Sequence, residues 1–234
     1  MFKIKKSIFF VLLFTLLINS FYISSGSEKI NMSYLYFLDK DEYEAKIYKT
    51  NNSLDIATLN LFNIDDNGNI IITDVIDNDT VNMMHKNNIK VIPFLSNHWN
   101  RELGIKALDN YIDVCDKMVQ TIIDLNLDGI NIDIENLTEN EREKLVTFVK
   151  YLREILPDDK ELSVAVAANP HDINYGWPGS YDYEELGKIC DYIVLMSYDE
   201  SYWGSKPGPV ASIEFVENSI KNITKYIPSN KVLL

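Results

Sequence analysis

The segment from residue 127 to residue 135 alternates between apolar and polar side chains, which is the period of a β-strand. One face of this strand carries three isoleucines, and the opposite face carries Asn131, Asp133 and Glu135. A strand in an open α/β sheet has helices over both faces and is usually apolar on both sides, so acids there would be costly to bury. In a barrel the polar face points into the interior, whose carboxyl-terminal mouth is open. The segment therefore favours a barrel over an open sheet.

Short runs of β-branched and aromatic residues predict further strands, over Tyr34–Leu38, Ile56–Phe62, Lys90–Leu95, Leu162–Ala167, Tyr192–Met196 and Lys231–Leu234. Amphipathic helices are predicted between them, over Asp109–Leu125, Glu139–Leu156 and Ser212–Tyr226. Their apolar faces include Ile112, Cys115, Met118 and Ile122 in the first and Leu145, Phe148, Leu152 and Leu156 in the second. Thr138 and Ser212 are the expected N-caps. Strands that alternate with helices predict one parallel α/β domain.

The amino terminus has the features of an export signal. Lys3, Lys5 and Lys6 make a basic start, Ile8–Ile18 is an almost unbroken apolar run, and small residues follow at positions 24–27. These features predict a signal peptide over residues 1–26 and a folded domain over residues 27–234. An uncleaved anchor is the alternative, but the run is shorter than the roughly 20 residues of a spanning helix. We therefore expect a secreted or cell-wall protein, not stably inserted in the membrane after signal cleavage.

The charge balance excludes one class of partner. Lys and Arg number 22 against 35 Asp and Glu, which gives a net charge of −13. Such a chain repels phosphate backbones, so nucleic acid is not an expected partner. The two cysteines, Cys115 and Cys190, show no metal-ligand spacing and are interpreted as small buried apolar residues. A single disulfide between them stays open as the alternative.

Asp133 and Glu135 are the candidate catalytic pair. Two carboxylates two residues apart on a strand have β-carbons about 6–7 Å apart, so ionisation of one raises the pKa of the other. A raised pKa keeps a carboxylic acid protonated near neutral pH. Glu135, nearest the end of the strand, is the expected proton donor, and Asp133 is expected to orient a group or to share the proton. The alternative is a solvated acidic strand end, or residues that cap the following helix.

The segment that carries these acids resembles a known signature. Residues 128–135, which begin with Asp128 and Gly129, resemble the D-G-x-D-x-D-x-E motif of glycoside hydrolase family 18. Residues 196–199, Met-Ser-Tyr-Asp, resemble the M-[ST]-Y-D motif of the same family after its sixth strand. That family includes chitinases and peptidoglycan-cleaving N-acetylglucosaminidases.

Further residues resemble one bacterial branch of the family, the spore-cortex and cell-wall hydrolases. They are the pair His98-Trp99 after the third strand and the segment 204–210. Asn131 stands where many chitinases carry a second aspartate, and the wall-lytic branch commonly has asparagine there. The resemblance therefore favours peptidoglycan over chitin as the polymer.

The resemblance implies a (β/α)₈ TIM barrel. It extends from about residue 34 to residue 234, and Lys231–Leu234 matches the start of the seventh strand. We therefore expect an incomplete barrel of about strands one to seven, which lacks the carboxyl-terminal part of the family domain.

The resemblance also implies an activity: a glycosidase that cleaves β-1,4 bonds of GlcNAc-containing polysaccharide by a retaining, substrate-assisted mechanism. Glu135 would protonate the glycosidic oxygen while the N-acetyl oxygen of the substrate attacks the anomeric carbon. Asp133 would hold the acetamido N–H, Tyr198 would bind the acetamido oxygen, and Asp199 would hold the sugar or Tyr198. No cofactor and no metal is expected.

Aromatic residues favour a polysaccharide cleft. Trp99, Trp177 and Trp203 fall in loops after predicted strands three, five and six, which open on the same barrel face. Exposed indole rings offer flat apolar surface suited to sugar rings, although loop packing is the alternative for each ring alone. The other expected substrate-binding residues are His98, Met196 and Asn131.

Two other functions stay open. A lectin-like relative or truncated pseudoenzyme would keep the cleft without catalysis; the intact acid pair argues against it, and the missing last strands argue for it. A metal-dependent hydrolase would use Asp128, Asp133 and Glu135 as ligands of Mg²⁺ or Ca²⁺. Asp128 has the opposite strand parity to the other two acids, which weakens that alternative.

Overall fold

The computed structural model describes residues 29–35 and 40–234, so the predicted signal peptide over residues 1–26 lies outside the described residues. The strands are β1 (Met32–Leu35), β2 (Ile56–Leu59), β3 (Phe62–Ile64), β4 (Ile70–Ile72), β5 (Lys90–Val91), β6 (Phe94–Ser96), β7 (Gly129–Asp133), β8 (Glu161–Ala167), β9 (Tyr192–Met196) and β10 (Val232–Leu233). Each strand predicted from the sequence is present at least in part, and residues 36–38 of the strand predicted over Tyr34–Leu38 lie outside the described residues.

The helices are α1 (Lys40–Lys49), α2 (Asn78–Lys86), α3 (Arg101–Asp109), α4 (Tyr111–Asp124), α5 (Arg142–Ile155), α6 (Gly176–Gly179), α7 (Tyr183–Ile189) and α8 (Ile213–Ile223). Short 3₁₀ turns lie at Glu139–Glu141 and Ser229–Lys231. Within the described ranges, no helix combines the length and the apolar character needed to cross a bilayer.

The sheet is largely parallel. One run of neighbouring strands is β1-β2-β5, and the other is β10-β9-β8-β7-β6-β3-β4, in which β3 and β4 pair antiparallel. β7 pairs in parallel with β6 and β8, so that Ile132 lies opposite Leu95 on one side and Val164 on the other. Parallel strands joined by helices confirm the α/β class and the TIM-barrel type. Among the described strands β1 and β10 do not pair, so the barrel is not closed.

Two of the predicted strands are each divided in two. Ile56–Phe62 becomes β2 and β3 because Leu61 donates its N–H to the Leu59 carbonyl at 2.9 Å, which interrupts the extended backbone. Lys90–Leu95 becomes β5 and β6 on either side of Pro93, which has no N–H to offer a neighbouring strand. β2 pairs with β5 and β3 pairs with β6, so the two breaks lie side by side and separate the sheet into its two runs.

The two faces of β7 are as predicted. Ile130, Ile132 and Ile134 are fully buried in the main hydrophobic core, together with apolar residues of α4 and α5. The polar residues of the strand lie on the opposite face, toward the barrel interior, where Asn131 is fully buried and Asp133 is partly buried. The alternation in the sequence therefore places the acids inside the barrel.

The helices bury the faces that the sequence predicts, with one exception. The apolar residues Cys115, Met118 and Ile122 of α4 and Leu145, Phe148, Leu152 and Leu156 on and just after α5 are all buried. The prediction for Ile112 is wrong, since this side chain is 48% exposed. At about 100° per residue it lies roughly 90° around the helix from the other three, and Val114 is buried instead. Cys115 and Cys190 are buried free thiols, so the disulfide left open by the sequence is not formed.

The predicted N-caps are confirmed. A carboxylate oxygen of Glu141 accepts hydrogen bonds from the backbone N–H and the hydroxyl of Thr138, both at 2.9 Å. The Ser212 hydroxyl accepts from the Phe215 N–H at 3.1 Å at the start of α8. These side chains satisfy amides that a helix start leaves without an internal partner.

Gly129, the glycine of the first motif, is required by a close approach of two backbones. A Cβ at this position would overlap the backbone carbonyl of Glu161 at the start of β8. Gly204, in the loop after β9, differs because its φ is +94° but nothing lies within 4 Å of an added Cβ. The two glycines therefore separate the cost of a backbone clash from the cost of an unfavourable φ.

We expect Gly129→Ala to lower the free energy of unfolding by about 3 kcal/mol, because the added methyl forces β7 and β8 apart. Gly204→Ala is the matched control, and its positive φ alone should cost about 1 kcal/mol. Thermal and urea unfolding followed by circular dichroism measure both values. Equal losses in the two variants would contradict the close-approach explanation.

Candidate active site

A cavity of about 510 Å³ opens at the carboxyl-terminal ends of β1, β6, β7 and β9. Its wall is mainly aromatic and apolar with a few polar groups, which is typical of a ligand pocket. The residues that define it include Tyr34, Phe94, Asp133, Glu135, Met196 and Tyr198. The parallel topology thus brings both predicted acids and two residues of the second motif, Met196 and Tyr198, into one cavity.

Asp133 and Glu135 are the acids of this cavity. Asp133 ends β7, and its Oδ1 atom is buried without a hydrogen-bond partner among the described residues. Burial raises the pKa of Asp133 to about 6. The pKa of Glu135 rises to about 7, first because of burial and then because of the negative charges of Asp133 and Asp199. Below pH 7 Glu135 is therefore mainly protonated, as a general acid must be.

Two tyrosines accompany the acids. Tyr34 donates its hydroxyl hydrogen to Asn131 Oδ1 at 2.7 Å, and burial raises the pKa of Tyr34 well above its ordinary value. Tyr198 is half exposed, and its pKa is raised to about 12 by burial and then by the neighbouring carboxylates. Both phenols therefore keep their protons at neutral pH and can donate hydrogen bonds.

Asn131 lies below the cavity wall and not in it. Its side chain is fully buried, its Oδ1 accepts from Tyr34, and its Nδ2 donates to Ser163 Oγ at 2.8 Å. The prediction that Asn131 binds substrate does not match this position, because both polar ends of the amide already have partners. Asn131 instead supports Tyr34 from below, and its neutral amide adds no charge beside Asp133.

The three tryptophans do not share one surface. Trp99 lines the cavity, is half exposed, and meets the ring of Trp177 edge-on at a centroid distance of 4.7 Å. Trp177 lies in α6, does not itself line the cavity, and donates its Nε1 hydrogen to the Tyr181 hydroxyl at 2.9 Å. Trp203 is fully exposed and lies outside the cavity wall. The structure therefore brings together Trp99 and Trp177 and leaves Trp203 apart.

His98 and Met196, two predicted substrate-binding residues, both line the cavity. His98 Nε2 lies 2.7 Å from Asn63 Oδ1, which orients the ring. Met196 ends β9 and is buried with Ala165 and Val194 in a small apolar cluster on the inner face of the sheet. Contact with a substrate stays a prediction for both residues.

Asp199 lies just beyond the cavity wall. It is exposed, and its backbone is left-handed with a φ of 59°, which turns the chain after Tyr198. Its effect on the site is electrostatic, because its charge contributes to the raised pKa of Glu135. A hydrogen bond from Asp199 to Tyr198 or to a sugar stays a prediction.

Asp128 lies at the opposite end of β7 from the cavity. Its Oδ2 accepts from the Val91 N–H at 2.7 Å and lies 2.8 Å from His85 Nε2, so it ties β7 to β5 and α2. A metal site that joins Asp128 to the two cavity acids is therefore wrong, because the length of the strand separates them. In the described parts of the chain, no group of three or more His, Cys, Asp or Glu residues could hold a metal ion.

Three residues of the site are not predicted from the sequence. Tyr34 was placed in a strand, but nothing in an apolar run marks it as a neighbour of the acids. Asn97 is fully buried after β6 and hydrogen-bonds the backbone of Glu135, and a polar residue directly after a strand is its sole signal. The hydroxyl of Tyr181 donates to the carbonyl of Ile134 at 3.1 Å, and its place in a distant loop gives no signal.

Comparison with known proteins agrees with this geometry. A family model described as Glycosyl hydrolases family 18 matches residues 29–234. The "Uncharacterized glycosylase YvbX" of Bacillus subtilis is 36% identical over 110 residues, which cover 45% of this chain and 31% of that protein. The "Cortical fragment-lytic enzyme" of the same species is 31% identical over 107 residues, which cover 45% of this chain and 25% of that protein. The matched segments therefore span about a third or less of these relatives.

Solved structures share the fold. The chitinase of Chromobacterium violaceum superposes with a TM-score of 0.79 at 23% identity, over 88% of this chain and 67% of that chain. The spore cortex-lytic enzyme SleL of Bacillus cereus gives a TM-score of 0.77 at 18% identity, over 87% of this chain and 49% of that chain. At these identities the likeness establishes the barrel architecture.

The raised pKa of Glu135 has a consequence for stability. Because the folded-state pKa of about 7 exceeds the ordinary value of 4.5, ionisation of this group opposes folding. The loss begins as the pH rises through the ordinary pKa and is complete above the folded-state pKa. The fold should therefore be more stable at pH 4 than at pH 8 as far as this group is concerned.

We expect Glu135→Gln to raise the free energy of unfolding by about 1–2 kcal/mol at pH 8, after allowance for partial exposure, and to change it little at pH 4. Glu154→Gln, an exposed substitution on α5, is the matched control and should change the free energy of unfolding by less than about 0.5 kcal/mol. Urea unfolding at the two pH values measures the difference. A gain that is the same at both pH values would contradict the raised pKa.

Proposed function

The chain belongs to family 18 of the glycosyl hydrolases, and from that premise we propose that it hydrolyses a GlcNAc-containing polysaccharide with Glu135 as general acid and base. The observation that carries the proposal is the pKa of about 7 of Glu135, in a cavity that it shares with a second buried acid. A carboxylic acid that is protonated near neutral pH is what a leaving glycosidic oxygen requires.

Asp133 is poorly placed to be the nucleophile. In retaining enzymes with two carboxylates, the nucleophile faces the acid across the bond that is cleaved. Asp133 ends β7, Glu135 follows it by two residues, and both line the same wall of the cavity, so both acids approach a bound sugar from one side. The proposed nucleophile is therefore the acetamido oxygen of the substrate, which attacks the anomeric carbon to form an oxazolinium ion.

Asp133 and Tyr198 have the chemistry to hold that acetamido group. The buried Oδ1 of Asp133 has no partner among the described residues and would accept the acetamido N–H, which also stabilises the positive charge of the oxazolinium ion. Tyr198 keeps its proton and would donate to the acetamido oxygen. Together they would orient the internal nucleophile toward the anomeric carbon.

Glu135 would move one proton in each half of the cycle. It gives its proton to the leaving oxygen as the bond from that oxygen to the anomeric carbon breaks. The resulting carboxylate then takes a proton from the water that opens the oxazolinium ring, which restores the acid and retains the configuration. A pKa near the working pH suits both halves, because the group must both lose and regain the proton.

We propose peptidoglycan as the polymer. Asn131 follows the pattern of the wall-lytic branch, and similar proteins carry the names cortical fragment-lytic and spore cortex-lytic enzyme. Trp99 would carry a sugar ring beside the acids. The signal peptide predicted over residues 1–26 would direct the enzyme to the secreted or cell-wall space, where that polymer is found.

We expect Glu135→Gln to lower turnover by at least about 100-fold while glycan binding persists, because the amide cannot donate and regain the proton. Reducing-end release from peptidoglycan fragments and from chitin oligosaccharides measures turnover, and calorimetric titration measures binding.

The wild-type rate should also fall as the pH rises through about 7, where Glu135 loses its proton. Glu154→Gln serves again as the exposed control. Unchanged turnover in Glu135→Gln would remove Glu135 from the role, and a wild-type protein that binds glycan without cleaving it would favour the lectin-like alternative.

The internal nucleophile gives a separate expectation. An oligosaccharide whose sugar at the cleaved bond carries a free amine in place of the N-acetyl group should be cleaved at least about 100-fold more slowly, because the attacking oxygen is gone. The matched N-acetylated oligosaccharide of the same length is the control. Equal rates on the free-amine and the N-acetylated oligosaccharide would contradict the substrate-assisted mechanism. The role of Glu135 as the acid would still be decided by the turnover of Glu135→Gln.

A further inference from the structure

Asn97 binds the backbone of the proposed acid. Its side chain is fully buried directly after β6, and its Oδ1 accepts from the Glu135 N–H at 3.0 Å. Its Nδ2 donates one hydrogen to the Glu135 carbonyl at 2.9 Å and the other to the Asn100 carbonyl at 2.9 Å. Three of the four hydrogen-bonding positions of the amide are therefore in use, and two of the three bonds go to the backbone of Glu135.

The contact between Asn97 and Glu135 lies just beyond the last paired residues of β6 and β7. The register of β6 and β7 runs to Ser96 opposite Asp133, so ladder hydrogen bonds do not reach Glu135. The Asn97 amide offers a donor and an acceptor side by side, as a neighbouring strand would. The side chain thus extends the sheet to the residue that carries the proton.

A second asparagine makes the reverse connection. Asn136, the residue after Glu135, donates its Nδ2 hydrogen to the carbonyl of Trp99 at 2.9 Å. One asparagine therefore reaches from the loop after β6 to the acid, and the other reaches from beside the acid to the aromatic residue of that loop. These three hydrogen bonds join the same two chain segments, with one side chain reaching in each direction.

The backbone of both segments is held in an unfavourable conformation. His98, Trp99 and Asn136 have φ values of 48°, 63° and 58°, in the left-handed region that favours glycine. Such conformations persist where the surrounding structure holds them, and they cluster at functional sites. The hydrogen bonds of Asn97 and Asn136 supply that restraint here.

We infer that Asn97 and Asn136 form a clasp of two positioning residues that fixes the acid Glu135 relative to the sugar platform Trp99. Neither asparagine lines the cavity, so each acts through the residue whose backbone it holds. Asn97 sets the position of the proton donor, and Asn136 sets the position of the ring that carries the sugar. The inference rests on the proposed function and adds which residues give the site its geometry.

Gly104 of α3 packs against the back of the clasp. A Cβ at this position would lie 2.9 Å from Asn97 Nδ2 and 3.0 Å from Ile134 Cγ2, which is too close for either neighbour to stay in place. Gly104→Ala therefore disturbs the Asn97 amide without a change to any residue of the cavity. Its effect should depend on the presence of the Asn97 side chain.

The first test separates kcat from KM on a soluble N-acetylated oligosaccharide. We expect Asn97→Ala to lower kcat by about 10- to 100-fold with little change in KM, because the acid is displaced and the platform is not. We expect Asn136→Ala to raise KM several-fold with a smaller effect on kcat. Asn126→Ala is the matched control, because Asn126 is also a left-handed asparagine but lies before the other end of β7. It should change neither constant.

A double-mutant cycle covers the case in which Asn97→Ala folds poorly. Gly104→Ala alone should lower kcat in the same direction as Asn97→Ala, and its effect should be smaller when both changes are combined, because only its contact with Ile134 Cγ2 and Leu137 Cδ2 then remains. Additive losses in kcat, or equal kcat and KM effects for the Asn97 and Asn136 variants, would overturn the clasp. Circular-dichroism melting of each variant verifies that the measured protein is folded.

A readout without turnover separates failure of the clasp from failure of the proposed function. Carboxyl ¹³C NMR titrates Glu135, whose neighbours include the ionisable groups of Asp133, Asp199 and Tyr198. Asn97→Ala should bring the pKa of Glu135 down from about 7 toward its ordinary value, because the released backbone lets the carboxyl group reach water. Asn136→Ala should leave it near 7. If the pKa of Glu135 falls in Asn97→Ala but not in Asn136→Ala, and the wild-type protein does not hydrolyse glycan, the clasp is kept and the proposed function is rejected. If the wild-type protein is active and the two variants leave the same pKa, the clasp alone is rejected.

Discussion

The site depends on keeping two carboxyl groups partly out of water on one face of one strand. Burial raises the pKa of Asp133 to about 6 and that of Glu135 to about 7. The free energy of unfolding therefore falls whenever these groups ionise. The isoleucines on the other face of β7 offset this cost, since each is fully buried and contributes about 1.5–3 kcal/mol. A barrel permits the arrangement because its inner face is shielded from bulk water yet open at one end, whereas an open sheet would seal the acids under a helix.

The interior below the acids is polar but neutral, and that neutrality shapes the electrostatics of the cavity. Tyr34, Asn131 and Ser163 form a hydrogen-bonded row in which the amide of Asn131 satisfies a partner at each end. A carboxylate in place of Asn131 would add a third negative charge to the interior and raise the pKa values of both acids further. With the amide, the carboxylates that raise the pKa of Glu135 are Asp133 and Asp199.

Local patterns predicted much of this architecture. The alternation from residue 127 to residue 135 placed the acids on the inner face of β7, and the caps at Thr138 and Ser212 were correct because capping is a contact between near neighbours in sequence. The misses came from longer-range or finer geometry. Pro93 and the turn at Leu61 divide two strands that read as continuous, and Ile112 was assigned to a buried face although its rotation around α4 exposes it. These details depend on neighbouring strands and on angles that a hydrophobic pattern specifies only coarsely.

The sequence by itself determined the α/β class, the inner face of β7 and the two acids that lie there, because each depends on residues close together along the chain. The tertiary structure decided which distant residues meet those acids. It brought Tyr34 over Asn131, put Asn97 against the backbone of Glu135, set Trp99 on Trp177 and left Trp203 in solvent. The physical reason is that such contacts join parts of the chain far apart in sequence, and their distances are set only when the strands pair and the loops at the mouth of the barrel pack against one another.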